Sequence, residues 1–359
     1  MSKVEIKVTK TKSPKQKPDF KNNPPAFGRQ TTDHMFLMDY ITSEERWENP
    51  RIEPYAPLEF DLTNSSFHYG QTIFEGMKAY KSPKGDTLIF RPYENAERFN
   101  KSAYRMCMPE LDKDVFVQAI SELVALDSHW IPNEQGTSLY IRPFMIANDS
   151  AIGVFMPARF LFAIILCPVG AYLSDGSKTV SMLVEENFVR AAPGGTGFAK
   201  CGGNYAGSFR ASQEAEKKGY NQVLWLDAIE RKYIEEVGAM NIFFVIDDKI
   251  VTPKLSDTIL DGITRKSVIN ILEDWSYSVL QTSIAIDELE KEHKKGKVTE
   301  VFGAGTAAVI TPIGQLNYKN NNMIFNSNKA GEITKRLYQE LTGIQAGKKE
   351  DKFGWTVKV

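Results

Sequence analysis

Apolar residues recur with two different periods in the first half of the chain, which predicts both strands and helices there. Alternating or continuous apolar runs predict strands over 35–40, 67–80, 87–92, 138–147 and 159–169. The last run is apolar throughout, as expected of a strand covered on both faces. Apolar residues spaced three and four apart predict amphipathic helices over 95–106 and 112–130, and Asp112 is a candidate N-cap of the second.

The second half repeats both patterns after a turn-rich break at 170–177. The segments typical of strands are TVSMLV, NQVLWLDA, NIFFVID and KIVTP, and those typical of helices are FRASQEAEKKG, TRKSVINILEDW and GEITKRLYQEL. We expect a mixed α/β fold in two domains. The predicted domains are a smaller one over 1–173 with a basic leader at 1–24, and a larger one over 174–359. The chain has no repeat at a fixed period, which excludes solenoids and propellers.

Composition and charge exclude several classes of protein. The chain has 359 residues, 42% of them hydrophobic and 25% charged, which is typical of a folded globular protein. The formal net charge is −1, so the basic excess of a generic nucleic-acid or membrane-surface binder is missing. No apolar run approaches the length of about 20 residues that a transmembrane helix needs.

Cysteine use and the leader bear on the cellular compartment. Cys107, Cys167 and Cys201 are too few and too scattered for a disulfide framework or a zinc site, so we expect a reducing compartment, the cytoplasm, and no metal. The first 24 residues contain seven lysines but neither the apolar core of a secretory signal nor the arginines of a transit peptide. We interpret this leader as a solvated segment or a short edge strand rather than a basic binding arm.

One lysine stands in the most unusual stretch, RAAPGGTGFAKCGGNYAGS (190–208), where six glycines surround Lys200. Glycine lets the backbone approach a ligand closely, and the stretch matches neither a P-loop nor G-x-G-x-x-G. A lysine in a desolvated pocket is a nucleophilic amine that can form a Schiff base with pyridoxal phosphate (PLP). The alternative from the residues alone is a glycine-rich turn with a solvated lysine.

A PLP site also needs a carboxylate for the pyridine nitrogen and donors for the phosphate, and three downstream segments could supply them. Glu235 and Glu236 stand directly before a Val-Gly turn into an apolar strand. The loop at 260–269 opens an amphipathic helix, whose first N–H groups could hold a phosphate. The small-residue loop at 301–310 could grip an anion through its N–H groups. Each also has an ordinary structural interpretation.

In their joint order these motifs resemble the branched-chain amino-acid aminotransferases, PLP enzymes of fold type IV. The resemblance runs from residue 26 to the C-terminus. The segments that carry it are TDHM, FHYGQTIFEGMKAY, NAERFNKSA, SLYIRP, GGTGFAKCGGNYAGS, QVLWL, EEVGAMN, LDGITR and FGAGTAA. It implies a two-domain enzyme with its active site in the interdomain cleft. The implied reaction is a ping-pong transfer of the amino group of L-leucine, L-isoleucine or L-valine to 2-oxoglutarate, catalysed by a homodimer.

The resemblance also implies which residues hold the cofactor. Lys200 matches the Schiff-base lysine, which also moves the proton. Glu236, rather than Glu235, matches the partner of the pyridine nitrogen. Tyr205 matches the residue bonded to the 3′-oxygen. The residues that match the phosphate site are Arg98, Ile263, Thr264 and Thr306.

Substrate contacts follow from the same resemblance. The α-carboxylate would be held by N–H groups of Thr306 and Ala307 with help from Tyr69. The pocket for the aliphatic side chain would be formed by Phe27, Tyr140 and Tyr172, with Val154 supplied by the partner subunit. Arg142 would pair with the γ-carboxylate of glutamate and retire when an apolar side chain is bound, because an unpaired buried charge is costly.

Two departures from the family pattern stand out. Ala239 replaces a hydroxyl residue that some relatives carry beside the cofactor or substrate. Ala308 and Thr311 replace the C-x-x-C of mammalian relatives, so that thiol switch cannot operate. The alternatives are another fold type IV enzyme, a D-amino-acid aminotransferase or aminodeoxychorismate lyase, then a non-catalytic descendant, and last a nucleotide-binding module.

Overall fold

The computed structural model describes residues 3–20, 22–23, 25–170 and 178–359. Its chain divides into two compact units. The first comprises the described parts of Met1–Tyr172, Ala199–Gly202 and Gly343–Val359, and the second those of Leu173–Phe198 and Gly203–Thr342.

Strands and helices are interspersed along both units. The strands are β1 (Lys7–Val8), β2 (His34–Ile41), β3 (Arg46–Pro54), β4 (Thr72–Phe74), β5 (Met77–Lys81), β6 (Thr87–Phe90), β7 (Ser138–Ala147), β8 (Arg159–Val169), β9 (Val180–Val184), β10 (Gln222–Leu226), β11 (Ile234–Val237), β12 (Asn241–Ile246), β13 (Lys249–Thr252), β14 (Val279–Gln281), β15 (Val298–Gly305), β16 (Val309–Tyr318), β17 (Asn321–Ile324) and β18 (Thr356–Lys358). The α-helices are α1 (Ser65–Tyr69), α2 (Pro92–Arg105), α3 (Lys113–Leu126), α4 (Gly202–Ala206), α5 (Phe209–Lys217), α6 (Ile263–Asp274), α7 (Ile286–Lys294) and α8 (Glu332–Gln345). Short 3₁₀ turns lie at Thr42–Glu44, Ser128–Trp130 and Asn326–Asn328.

The first unit is built on one sheet whose strand order is β1-β3-β2-β8-β7-β5-β6-β18, with β4 also paired to β7. Its pairs are antiparallel except that β1 runs parallel to β3. Helices α2 and α3 pack on this sheet, and the rings of Phe99, Phe116 and Phe162 meet at centroid distances of 5.3–5.7 Å. Such aromatic burial contributes much of the stability of a core.

The second unit is built on a sheet ordered β11-β10-β9-β16-β15-β12-β13-β14, with β17 paired to β16. Parallel pairs (β9 with β10 and β16, β13 with β14) mix with antiparallel ones. Phe243 and Phe302 stack at 5.1 Å across β12 and β15. The mixed α/β fold class predicted from the sequence is confirmed.

Several predicted elements have the expected bounds. Strands β7 and β8 cover the predicted 138–147 and 159–169, and the Asp112 side chain accepts hydrogen bonds from Asp114 and Val115 at the start of α3. The single strand predicted over 67–80 is wrong. The Asn64 side chain caps the short helix α1, which ends at Gly70 with φ +65°, and β4 and β5 follow. A left-handed glycine ends a helix without a Cβ clash.

The chain returns to the first unit twice. Residues 199–202 rejoin it because Phe74 N donates to Lys200 O at 3.0 Å, and 343–359 rejoin it because β18 pairs with β6. The predicted division after residue 173 falls at 171–177, outside the described residues, and stays a prediction. So does an active site in a cleft between domains.

Candidate active site

The backbone of Lys200 is fixed on both sides by the first unit. Its N–H donates to Ser102 Oγ at 2.9 Å, its carbonyl accepts from Phe74 at 3.0 Å, and Cys201 forms a β-bridge with Ile73. Gly202 must be small, since a Cβ there would lie 2.7 Å from Thr72 Cγ2. The Lys200 side chain is half-buried, with Nζ 4.7 Å from the centre of the Phe74 ring. An amine held this way is oriented without being sealed from ligands.

Arg98 lies on α2, one turn before Ser102, and is buried. Its Nε donates to Glu75 Oε1 at 2.7 Å and its Nη2 to Oε2 at 2.8 Å. Ser102 Oγ donates to the Arg98 carbonyl at 3.0 Å, so the same hydroxyl joins Arg98 to Lys200. Glu75 takes two of the five N–H donors of the guanidinium and fixes its plane.

Arg142 stands among aromatic rings. Its guanidinium carbon is 4.7 Å from the Phe74 ring centre and 5.2 Å from that of Tyr140, and its Nη2 donates to the Tyr140 hydroxyl at 2.9 Å. Its Nε is buried without a hydrogen-bond partner among the described residues. Phe27 packs edge-to-face on Tyr140 at 4.9 Å. The structure thus brings Arg142 and Lys200 to the ring of Phe74, and Phe27 and Arg142 to Tyr140.

Three consecutive residues, 74–76, hold the candidate side chains of the first unit in place. Phe74 lies between Lys200 and Arg142, Glu75 holds Arg98, and Gly76 passes so close to Tyr140 that a Cβ would lie 2.1 Å from its hydroxyl. Sequence reasoning quoted this FEG segment without assigning it a role. An acid beside a glycine within an apolar segment is the signal that could have singled it out.

The other substrate candidates of the first unit are less enclosed. Tyr69 ends α1 and its side chain is exposed, while Val154 is 89% exposed. Tyr172 lies outside the described residues. Among the described residues, the exposure of Tyr69 and Val154 does not place them against the aromatic group around Arg142.

Two adjacent acids in the second unit, Glu235 and Glu236, have different partners, and those of Glu236 suit a carboxylate that carries a charge. Glu236 is buried, one oxygen accepts from Leu260 N at 2.7 Å, and the other lies 3.1 Å from Arg190 Nε. Glu235 accepts instead from the Thr258 hydroxyl, and burial raises its pKa. Arg190 compensates the Glu236 charge, which burial alone would disfavour.

Arg190 is a second residue that sequence reasoning missed. Besides Glu236 it donates to the carbonyls of Gly197, at 3.0 Å, and Thr258. Gly197 allows this approach, since a Cβ there would lie 2.6 Å from Thr258 Cα. Arg190 opens the quoted glycine-rich segment, and its position in a loop that precedes Lys200 was the available signal.

Ile263 and Thr264 form the first turn of α6, and both are buried. No side chain caps this helix at Gly262, where a Cβ would lie 2.0 Å from Asn241 Oδ1. Uncapped first-turn N–H groups with the positive end of the helix dipole suit a phosphate. The local structure therefore fits the predicted phosphate site.

The remaining candidates of the second unit are on turns and a short helix. Thr306 and Ala307 are half-buried in the connection between β15 and β16. Ala239 is exposed in the turn between β11 and β12, where Val237 N donates to Met240 O at 2.9 Å. Tyr205 is half-buried on α4.

The described residues hold neither a cluster of metal ligands nor a membrane span. No group of three or more His, Cys, Asp or Glu side chains in these ranges could hold a metal ion. No helix in the same ranges is long and apolar enough to cross a membrane.

Comparison with known proteins gives matches over most of the chain. The model of the amino-transferase class IV family matches residues 72–316. Branched-chain-amino-acid aminotransferase 2 of Bacillus subtilis (strain 168) is 52% identical over 356 residues, covering 99% of this chain and 97% of that protein. Branched-chain-amino-acid transaminase 1 of the same organism is 49% identical, covering 99% of each.

Solved structures with similar folds include two further branched-chain amino acid aminotransferases. The Escherichia coli enzyme is 28% identical with a TM-score of 0.77, covering 91% of this chain and 99% of that chain. The T.th. enzyme with pyridoxamine 5′-phosphate is 29% identical with a TM-score of 0.76, with the same coverages.

Proposed function

The chain belongs to the class IV aminotransferase family, and we propose that it is a branched-chain amino-acid aminotransferase that uses pyridoxal 5′-phosphate. It transfers the amino group of L-leucine, L-isoleucine or L-valine to 2-oxoglutarate in two half-reactions at one site, giving the branched 2-oxo acid and L-glutamate. The names of relatives 49–52% identical over nearly the whole chain support this activity.

The residues present fit this cofactor. Lys200 supplies the amine for its aldehyde, Glu236 a buried carboxylate for the pyridine nitrogen, and Arg98 a buried guanidinium for the phosphate. The first turn of α6 (Ile263 and Thr264) supplies N–H donors, and Thr306 and Tyr205 supply hydroxyls. When bound, PLP supplies an electron sink that stabilises negative charge at the substrate α-carbon.

Each protein group then has a defined task. Lys200 Nζ carries the proton to and from the α-carbon, which needs an amine within hydrogen-bond reach. Glu236, whose charge Arg190 compensates from 3.1 Å, would hold a proton on the pyridine nitrogen. Arg98, fixed by Glu75, orients the phosphate.

Substrate binding divides between polar and apolar groups. The N–H groups of Thr306 and Ala307, assisted by Tyr69, bind the α-carboxylate. Phe27, Tyr140 and Tyr172 contact the aliphatic side chain, with Val154 from a second copy. Ala239 leaves the adjacent turn without a hydroxyl.

The environment of Arg142 is the observation that carries the dual substrate specificity. The guanidinium lies against the faces of Phe74 and Tyr140 and has one partner side chain, a hydroxyl, among the hydrogen bonds described. A γ-carboxylate gains a bidentate partner there. A branched side chain meets ring surface instead, while cation–π contacts keep the arginine stabilised.

We also propose that the enzyme is a homodimer in the cytoplasm. Ile152, Val154, Phe155 and Met156 form an exposed apolar segment in the first unit, which favours burial against a second copy. Cys167 and Cys201 are free and buried, as suits a reducing compartment.

The test is a substrate panel with purified enzyme loaded with PLP. L-leucine, L-isoleucine, L-valine and D-alanine are each offered with 2-oxoglutarate, and glutamate formation is measured. We expect activity with the three branched L-amino acids and none with D-alanine. Activity with D-alanine alone would assign the chain to another branch of the class IV family, and absence of both activities and of PLP colour would indicate a non-catalytic protein.

A further inference from the structure

The lysine-rich leader is ordered against the first unit. Val4 N–H donates to Gln118 Oε1 at 3.1 Å, β1 pairs with β3, and Thr11 N–H donates to His34 Nε2 at 2.9 Å. The expectation of a short edge strand is confirmed for residues 7–8. Most of the described residues that follow, up to residue 20, are exposed to solvent as expected, but some of them also make specific hydrogen bonds to the first unit.

Lys15 of this leader makes four hydrogen bonds to segment 31–33. Its N–H donates to Asp33 Oδ1 at 2.8 Å. Its Nζ donates to Thr31 Oγ1 and to the Thr32 carbonyl, each at 2.7 Å, and to the Thr31 carbonyl at 3.4 Å. The ammonium also lies 4.2 Å from the centre of the Tyr55 ring. One cation thus fixes two consecutive residues.

Gln30, the residue before Thr31, adds a further contact to the leader. We call the contacts of residues 30–32 with Lys15 and Gln16 the clamp. Gln30 Nε2 donates to the Gln16 carbonyl at 3.0 Å, so residues 30, 31 and 32 all contact the leader at 15–16. Thr32 N–H in turn donates to Leu166 O on β8 at 3.0 Å. The segment 30–32 therefore lies between the leader on one side and the sheet on the other.

A tight turn joins this segment to the aromatic group of the candidate site. Arg29 N–H donates to Ala26 O at 3.1 Å, and Gly28 takes φ +73°, which favours glycine. This turn carries Phe27, whose ring packs on Tyr140 at 4.9 Å although Phe27 itself is 45% exposed. An exposed ring keeps such a position only if its backbone is held.

We propose that Lys15 is a positioning residue for substrate selectivity, which holds segment 30–32 and thereby keeps Phe27 on Tyr140 in the pocket for the aliphatic side chain. The proposal rests on the proposed function for the identity of that substrate. The proposal assigns a function to the leader that its positive charge does not indicate. One of its seven lysines acts through specific hydrogen bonds rather than through charge alone.

The test compares Lys15→Met with the matched control Lys17→Met, another exposed lysine of the same leader. We expect Lys15→Met to raise the KM for L-leucine roughly 3- to 10-fold, the loss typical of one aromatic edge-to-face contact. The KM for 2-oxoglutarate should change less, because Arg142 binds its γ-carboxylate. The kcat and PLP absorbance should stay as in the control, and Lys15→Arg should recover part of the KM.

Limited trypsin digestion supplies a second measurement that needs no activity. Release of the turn should speed cleavage after Arg29 in Lys15→Met and not in Lys17→Met. If the wild type has no branched-chain activity but this cleavage difference is present, the proposed function fails while the clamp stands. Equal KM values and equal cleavage rates in the two variants overturn the proposal. It is also overturned if Lys15→Met lowers kcat and Tm and raises the KM for both substrates to the same extent.

Discussion

Arg98 lies flat against the carboxylate of Glu75, with both pairs of facing atoms 2.7–2.8 Å apart. The two side chains are 9% and 0% exposed. A charge pair this deeply buried must be compensated on both sides, because a single buried charge costs several kcal/mol. On the proposal that Arg98 orients the phosphate, the pair links cofactor binding to the stability of the first unit.

Replacement of Glu75 should separate these two effects. In Glu75→Gln the Arg98 cation loses its counter-charge, and we expect the cofactor-free protein to lose about 3–5 kcal/mol of unfolding free energy. Bound PLP should restore part of this, because its phosphate supplies a new anion for Arg98. Urea unfolding with and without PLP measures both values.

The matched control is Glu97→Gln on α2, the helix that carries Arg98. There Glu97 and Lys101 form an exposed ion pair with a distance of 2.9 Å between the charged atoms. An exposed pair of this kind contributes about 0–1 kcal/mol. Equal losses in the two variants, or a Glu75→Gln loss that PLP leaves unchanged, would contradict the role assigned to Glu75.

Lys200→Ala should abolish transamination and the visible absorbance of lysine-bound PLP. The fold should survive, because the hydrogen bonds that Phe74 and Ser102 make to Lys200 involve only its backbone atoms, which alanine retains. The checks are an absorbance spectrum, an L-leucine assay and a thermal melt, with Lys217→Ala on α5 as the control. A Lys200→Ala protein that keeps both absorbance and activity would show that another amine does this work.

Arg142→Gln should separate the two substrates. Loss of a charged hydrogen-bond donor to the γ-carboxylate should cost about 1.5–3 kcal/mol, or roughly 10- to 150-fold in kcat/KM for 2-oxoglutarate. The half-reaction with L-leucine should change by much less. Single-turnover kinetics of each half-reaction measure this difference, with the exposed Arg159→Gln on the adjacent strand as control. Equal losses for both substrates would contradict the assignment.

Lys78 should make the stability of the protein depend on pH above neutrality. Burial on β5 lowers its pKa to about 8 from the unfolded value of 10.5. Between these two values the unfolded chain binds more protons, so unfolding free energy rises with pH. The penalty for the buried ammonium is fully present below about pH 8 and is relieved by about pH 10.5.

The corresponding variant is Lys78→Met. We expect its stability relative to the wild type to fall as the pH rises from about 8 to about 10.5, because only the wild type gains unfolding free energy from the Lys78 titration over that range. Urea unfolding at a series of pH values measures it, and the exposed Lys81→Met at the end of the same strand is the control. A difference in stability that is independent of pH would mean that burial does not lower the pKa of Lys78.

The fold could be predicted where a local pattern decides the structure. The apolar runs of β7 and β8 and the Asp112 cap of α3 each depend on residues adjacent in the chain. The segment 67–80 could not, because a side-chain cap at Asn64 and a left-handed Gly70 override its apolar pattern.

The ion pairs of the candidate site could not be predicted from local sequence patterns either. Family resemblance identified Arg98 and Glu236, but nothing local in the sequence pairs them with Glu75 and Arg190, which are distant along the chain. Tertiary packing chooses such partners, so the roles carried over from relatives stay predictions until the variants above are measured.

The pairing of β18 with β6 has a consequence for synthesis. The last strand of the chain completes the edge of a sheet whose other strands emerge first. At about 5–20 residues per second, the ribosome needs roughly 15–50 s to make the chain between Phe90 and Thr356. During that time the β6 edge has no native neighbour, so a nascent chain exposes it to other strands. Emergence of residues 356–358 from the ribosome is thus a condition for completing the first-made sheet.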